Sequence, residues 1–345
     1  MGREVDVADL VARARRGEHR AVARLISLGE AGAGGVAGRA TGRAVTAALA
    51  PHVGRAHVVG LTGPPGVGKS TATSALVAAL RGRGRRVGVL AVDPSSPFSG
   101  GALLGDRVRM GEHATDDGVF IRSMASRGHL GGLAGATPHA LRVLDAAGCD
   151  VVLVETVGVG QSEVEVAALA DTTAVLLAPD LGDGVQAAKA GILEVADVLA
   201  VNRADRPGAA RTVRELEHAV ALGAAPRTGD AGWVRPVVST VAVRAGGVDA
   251  LLAALDAHRA WLDRSGGRSV RRRARAAAEV AALALERLRV ALADLVADGA
   301  LAERVATGAL DPHHAAEHLL AALRPEAAGR GTGAPAGPED VGGRS

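Results

Sequence analysis

Aromatic residues are scarce in this chain of 345 residues, at 1% of the composition, and tyrosine is absent. The aromatic side chains are Phe98, Phe120, Trp233 and Trp261. Modules that bind nucleic acids by stacking bases on aromatic rings are therefore excluded. Hydrophobic residues make up 48% of the chain, so a sizeable core of Leu, Val and Ala is expected.

Cysteine is also scarce: Cys149 stands alone, which excludes internal disulfides and cysteine-rich metal sites. No apolar run approaches the ~18 residues of a membrane span, and residues 1–20 lack the apolar stretch of a signal peptide. The formal net charge is only +3, so the charge balance requires neither a nucleic-acid nor a membrane partner. We therefore expect a soluble, cytoplasmic protein.

Hydrophobic spacing divides the chain into helical ends and a central α/β region. Helical spacing predicts an N-terminal helical region over 1–54. Continuous Val/Leu runs, such as 151–154, are typical of parallel strands buried on both faces. They predict an α/β domain over 55–262 with a mostly parallel, doubly wound sheet. Strands are predicted at 57–62, 87–93, 119–124, 150–156, 172–179, 197–202 and 234–240, and helices at 70–81, 137–147, 162–170, 184–196, 207–222 and 247–262.

The C-terminal part is predicted to be helical after a Gly- and Ser-containing linker at 263–269. A helix over 270–299 carries a broad apolar surface, which predicts self-association, and a short helix follows at 311–324. Together they form a predicted helical dimerisation region over 270–325, and a tail over 326–345 is predicted to be disordered.

Two local patterns in this C-terminal part have an ordinary structural interpretation. The run Arg271–Arg273 with Arg275 is predicted to be the solvated face of a helix. His314 and His318 have the spacing of a zinc motif, but no third ligand is evident, so an amphipathic helix is predicted.

A phosphate-binding loop is predicted at Gly63–Ser70, where Gly-Pro-Pro-Gly-Val-Gly-Lys-Ser fits G-x-x-x-x-G-K-[ST]. It follows a predicted strand and opens a predicted helix, so backbone N–H groups and the helix dipole can bind phosphate oxygens. Lys69 and Lys189 are the two lysines of the chain, and their retention among so many arginines favours a functional role for both. The residues predicted to bind nucleotide here are Gly63, Pro64, Pro65, Gly66, Val67, Gly68, Lys69, Ser70 and Thr71.

A base-reading loop is predicted at 202–205, where Asn-Arg-Ala-Asp follows a strand and is similar to the guanine-specifying N-K-x-D motif. The Asp205 carboxylate can accept hydrogen bonds from the guanine N1–H and 2-amino group, a pair that adenine does not offer. Asn202 and Arg203 complete the motif, and Ser239 with Thr240 stand where a backbone N–H supports the guanine oxygen.

Three carboxylates are candidates for the shell of a Mg²⁺ ion together with the Ser70 hydroxyl, since Mg²⁺ takes few protein ligands and keeps waters. They are Glu155 and Asp93, each ending a predicted strand, and Asp106 in the following loop. Gly158 is placed to donate its N–H to a γ-phosphate. Lys69, Glu155 and Gln161 are the predicted catalytic residues, with Gln161 orienting the attacking water.

Several longer stretches resemble the methylmalonyl-CoA mutase-associated GTPases, also described as MeaB- or ArgK-like. The resemblance covers residues 58–255 and extends more weakly into both helical ends. The stretches that carry it are Gly63–Thr71, Ala91–Ser96, Gly101–Met110, Arg122–Gly128, Gly131–Ala134, Val154–Glu163 and Val201–Asp205.

The resemblance implies a homodimeric P-loop GTPase of the SIMIBI class that binds GTP, GDP and Mg²⁺. It further implies a chaperone of an adenosylcobalamin-dependent acyl-CoA mutase, gating the loading of the cofactor and protecting the enzyme. The chain departs from the family pattern at Arg107, where lysine is usual, and in the glycines of 178–186. Two alternatives stay open: an ATP-using kinase or ATPase of a lysine/arginine/ornithine transport system, and a GTPase that delivers nickel.

Overall fold

The fold centres on one parallel sheet. The computed structural model describes residues 6–31, 35–93, 110–125, 136–156, 162–179, 194–222, 232–297 and 299–323. Its strands are β1 (His57–Thr62), β2 (Val87–Asp93), β3 (Val119–Ala125), β4 (Val151–Thr156), β5 (Thr172–Leu177), β6 (Val198–Val201) and β7 (Val237–Ser239). Within these ranges the seven strands are all parallel, in the order β3-β2-β4-β1-β5-β6-β7. The predicted α/β class is therefore confirmed.

Helices alternate with these strands along the chain and also precede β1 and follow β7. They are α1 (Val7–Arg15), α2 (His19–Ala31), α3 (Gly35–Leu49), α4 (Lys69–Gly82), α5 (Thr137–Ala146), α6 (Ser162–Leu169), α7 (Ala209–Ala221), α8 (Val248–Ser265), α9 (Gly267–Val296), α10 (Ala300–Ala306) and α11 (Pro312–Ala322). The predicted helix at 184–196 lies largely outside the described residues, as does the predicted tail. No helix in the described ranges has both the length and the apolar character needed to cross a membrane.

Alternating side chains of the strands pack into two cores on opposite faces of the sheet. Val58 and Val152 join the core that α1, α2, α3 and α5 cover, whereas Val59 and Leu153 join the core under α4 and α8. Both faces of the inner strands are thus apolar, which explains the unbroken Val/Leu runs. β7 is shorter than predicted, because Pro236 has no N–H to extend the ladder.

Helices occupy most of the predicted linker at 263–269, so that prediction is wrong. α8 continues to Ser265, and α9 begins at Gly267. The break between them is Gly266, which has a φ of 73°. Because glycine adopts this left-handed conformation without strain, one residue is enough to turn the chain between two helices.

Of the arginine run in the first turns of α9, only Arg273 is exposed, so most of the run is not the solvated face that the sequence predicted. Arg271 is only 8% exposed and forms an ion pair with Asp197, while Arg272 and Arg275 form ion pairs with Asp171. Burial by itself would raise the pKa of Asp171, but the charges of Arg275 and Arg272 outweigh it and the pKa lies below its ordinary value. The run therefore fixes the start of α9 against the amino ends of β5 and β6.

The chain divides into two compact units, Met1–Ala276 and Ala277–Ser345. The first unit contains the sheet, the N-terminal helices and the beginning of α9. The second contains α10, which the sequence did not predict, and α11, where the Asp311 side chain accepts hydrogen bonds from the N–H groups of His313 and His314. No group of three or more His, Cys, Asp or Glu residues in the described ranges is arranged to hold a metal ion.

Candidate nucleotide site

Those predicted site residues that the structure describes lie at one edge of the sheet, because the carboxyl ends of parallel strands meet there. β1 leads into the phosphate loop and then into α4. Next to β1, β4 ends with Glu155 and Thr156, and beyond β5 the strand β6 leads into Asn202. Three segments that are distant in the sequence are thus neighbours at this edge.

Lys69 is held inside the phosphate loop. Its Nζ donates to the carbonyl oxygens of Gly63 at 2.8 Å and Pro64 at 3.0 Å, and the residue is only 7% exposed. These contacts hold the ammonium group against the loop backbone. An ammonium at this position can reach the β- and γ-phosphates of a bound nucleotide.

Glu155 is the carboxylate that the structure brings to the start of α4. The Ser70 hydroxyl donates to its Oε1 at 2.6 Å, and the Thr73 hydroxyl donates to its Oε2 at 2.9 Å. The side chain is buried, so these bonds fix its direction. The Ser70 and Glu155 oxygens together offer the hard oxygen ligands that Mg²⁺ prefers.

Asn202 connects the predicted base-reading loop to the phosphate loop. Its Nδ2 donates to the Val67 carbonyl at 2.8 Å, and its Oδ1 accepts from the Thr240 hydroxyl at 3.2 Å and the Ala242 N–H at 3.1 Å. The residue is 3% exposed. One buried amide thus holds three loops at fixed distances, including the loop after β7.

Arg203 and Asp205 differ in how firmly they are held. The Arg203 guanidinium donates to the Gly66 carbonyl at 2.6 Å, so it braces the phosphate loop from the outside. Asp205 is exposed, and its Oδ2 lies 3.6 Å from an Arg244 nitrogen in an exposed ion pair. Its carboxylate is therefore open to the donors of a base.

The remaining predicted residues fall into three groups. Pro64, Pro65, Thr71 and Ser239 lie at least partly exposed at the same edge, where they can contact a nucleotide. Asp93 ends β2 directly after Val92, the partner of Thr156 in β4, which places the backbone of Asp93 at this edge. Gly158, Gln161, Asp106 and Lys189 lie outside the described residues.

Sequence reasoning missed two side chains at this edge. Thr73 lies one turn after Lys69 on α4, so reading the helix at a spacing of four would have placed it beside Glu155. Arg244 gave no such signal, because only the turn after β7 brings it to Asp205. Arg122, which begins one of the stretches that carry the family resemblance, forms an ion pair with Glu30 of α2.

The parallel sheet, the glycine-rich loop before α4 and the buried lysine define a P-loop nucleoside triphosphatase. Within that class, residues 22–295 match the family described as Methylmalonyl Co-A mutase-associated GTPase MeaB. The chain therefore belongs to the MeaB family and is a GTPase, which confirms the resemblance seen in the motifs.

Curated relatives are similar to this chain over different shares of its length. A candidate GTPase of Pyrococcus abyssi is 44% identical over 317 residues, covering 91% of this chain and 96% of its own. GTPase ArgK of Escherichia coli is 41% identical over 202 residues, or 59% of this chain and 60% of its own. The mouse protein named methylmalonic aciduria type A homolog, mitochondrial, is 47% identical over 147 residues, or 43% of this chain and 35% of its own.

A solved structure shows the same fold. The crystal structure of a LAO/AO transport system kinase superposes with a TM-score of 0.68 at 26% sequence identity. The match covers 94% of this chain and 99% of the other. The match therefore reaches beyond the sheet into the helical ends of this chain.

The link between the two loops predicts different effects at two glycines with positive φ. Gly68 has a φ of 93°, and an added Cβ would lie 2.6 Å from Asn202 Nδ2, whereas Gly66 has a φ of 78° and open space. Gly68→Ala should therefore lower the free energy of unfolding by at least about 1 kcal/mol more than Gly66→Ala does. Its thermal midpoint should be correspondingly lower. Nucleotide-free thermal unfolding measures both, and equal midpoints would contradict the clash.

Proposed function

We propose that this GTPase requires Mg²⁺ and serves an adenosylcobalamin-dependent acyl-CoA mutase of the methylmalonyl-CoA mutase type as a chaperone. The observation that carries the catalytic part is the joint placement of Lys69, Ser70 and Glu155 around the first turn of α4. The partner part rests on the family description, which names the mutase. The two parts are tested separately below.

We assign the hydrolytic roles from the chemistry of each residue. Lys69 and the N–H groups of 66–70 stabilise negative charge on the phosphates, including charge that develops in the transition state. The Ser70 hydroxyl and Glu155 would hold Mg²⁺ with its waters, and Asp93 and Asp106 remain candidates for the same shell. When bound, the ion neutralises phosphate charge. We assign the orientation of the attacking water to Gln161, with Gly158 donating to the γ-phosphate.

The base preference rests on Asp205. Its carboxylate is exposed at the end of a loop that Asn202 holds against the phosphate loop, so base and phosphates can bind together. An acceptor with two oxygens matches the N1–H and 2-amino donors of guanine. Ser239 and Thr240 would support the opposite side of the base.

GDP should bind more tightly than ADP by about 2 kcal/mol, roughly thirtyfold, because adenine lacks the paired donors that Asp205 accepts. Asp205→Asn should remove most of this difference by weakening GDP binding. Asp117→Asn removes the same charge near the amino end of β3 and should leave both affinities unchanged. Calorimetry gives the affinities. Equal GDP and ADP binding by the unaltered protein would favour the ATP-using alternative instead.

The partner assignment predicts that a mutase stimulates hydrolysis. Adding purified adenosylcobalamin-dependent methylmalonyl-CoA mutase should raise the rate of GTP hydrolysis by at least about tenfold, as a group supplied in trans can do. Lys69→Ala should show no hydrolysis with or without the mutase, which controls for contaminating activity. An unchanged rate, together with no complex on gel filtration, would reject the mutase as partner.

We also propose that α9 mediates a homodimer. Leu285, Leu288, Leu292 and Leu295 repeat at spacings of three, four and three residues, which is the pattern of a helix–helix seam. Leu285 is 65% exposed and Leu288 is 46% exposed. An apolar stripe of this length is usually buried against a partner in solution, and the commonest partner is a second copy of the same chain related by a twofold axis.

The double variant Leu285→Asp/Leu288→Asp should be monomeric at micromolar concentrations, because a dimer seam would have to bury four carboxylates. Arg287→Asp changes the net charge by the same amount but lies off the stripe, so it should remain dimeric. Light scattering distinguishes the two masses. A monomeric unaltered protein would refute the dimer.

A further inference from the structure

A buried ion pair lies at the amino edge of the sheet, on the side away from the phosphate loop. Asp197 directly precedes β6 and is fully buried, and Arg271 in the second turn of α9 is 8% exposed. Arg271 Nη2 donates to Asp197 Oδ1 and its Nη1 to Oδ2, both at 2.8 Å. This two-pronged contact fixes both the distance and the plane of the carboxylate.

Asp197 also connects neighbouring strands. Its Oδ2 accepts from the Thr173 N–H at 2.7 Å, and Arg271 Nη1 donates to the Asp171 carbonyl at 2.6 Å. The amino ends of β5 and β6 are therefore held to each other and to α9 through one carboxylate and one guanidinium.

Aromatic and imidazole rings enclose this pair. The indole N–H of Trp233 donates to the Asp197 carbonyl at 2.9 Å. The ring centroids of Trp233 and His258 are 4.7 Å apart. Thr172 bridges His258 to His57, with distances of 2.9 Å and 2.7 Å. Burial lowers the pKa of His57 to about 3, so this ring is neutral at physiological pH. The ion pair between Asp197 and Arg271 is therefore surrounded by packed side chains and shielded from water.

The route from this junction to the base-reading loop is short. β6 has only four residues, Val198–Val201, all buried and paired with β5 and β7. Asn202 follows the strand directly, and Asp205 follows three residues later. A displacement of Asp197 along the strand axis would therefore displace Asn202 and the Asp205 loop, because a paired strand does not stretch.

We propose that Arg271 is a positioning residue for guanine recognition: it fixes Asp197, and through β6 it sets where the Asp205 carboxylate meets the base. This inference rests on the proposed role of Asp205. Burying two charges is costly, and a well-packed apolar pair could fill the same space without loss of stability. The ion pair instead fixes the position and orientation of Asp197 at the start of the short strand β6.

The test compares GDP with IDP, whose base lacks the 2-amino group but keeps N1–H. General loosening of the protein would weaken both ligands equally, whereas a misplaced Asp205 loses the second hydrogen bond and weakens GDP more. In the full-length chain, Arg271→Met should lower the ratio of GDP to IDP affinity by about three- to tenfold. Calorimetry at fixed salt and Mg²⁺ measures the ratio.

Arg272→Met is the matched control, since Arg272 comes from the same helix turn but pairs with Asp171 at the start of β5. It should lower the thermal midpoint and leave the affinity ratio unchanged. Arg271→Lys keeps the charge without the fork, and its ratio should lie between those of the unaltered protein and Arg271→Met.

If Arg271→Met does not fold, the double variant Asp197→Asn/Arg271→Met replaces it. It removes both charges and keeps an acceptor for the Thr173 N–H, and it should show the same reduced ratio. An unchanged ratio, or an equal reduction in Arg272→Met, would overturn the positioning role. If the unaltered protein does not discriminate GDP from ADP, the proposed guanine recognition itself fails, which is a separate outcome.

Discussion

The buried side chain of Asn202 is the contact on which the nucleotide site depends. Its amide joins the Val67 carbonyl of the phosphate loop to the Thr240 hydroxyl and the Ala242 N–H after β7. Separating these loops would leave the buried amide without hydrogen-bond partners, which would lower the free energy of unfolding. The distance between the phosphate-binding and base-reading parts of the site is consequently set before a ligand binds.

Opposite edges of the sheet have different chemistry. At the carboxyl edge, Lys69, Glu155 and Asn202 are buried but point to loops that a ligand can reach. At the amino edge, Asp171 and Asp197 are paired with arginines from α9. The short strands β5 and β6 connect the two edges, and they are the route by which we propose that α9 influences a site it does not touch.

The motifs predicted which chemistry is present, because each depends on residues close in sequence. The glycines of 63–68 and the following Lys69 form the loop locally, and the strand before them was predicted with the observed bounds. The Val/Leu runs predicted parallel strands since both faces of the sheet are apolar. The composition alone does not show the state of Cys149. Burial in the fold raises the pKa of its thiol to about 12, which keeps the thiol protonated.

The sequence by itself determined the α/β class, the approximate strand positions and the glycine-rich loop before α4, because hydrophobic period and local backbone chemistry specify them. Only the tertiary structure decided which charges are buried. Arg271 and Asp197 are 74 residues apart, and Asn202 and Val67 are 135 apart. Such pairs depend on how the crossovers stack helices on the sheet, and no local pattern distinguishes an arginine that will be buried against aspartate from one that stays in water.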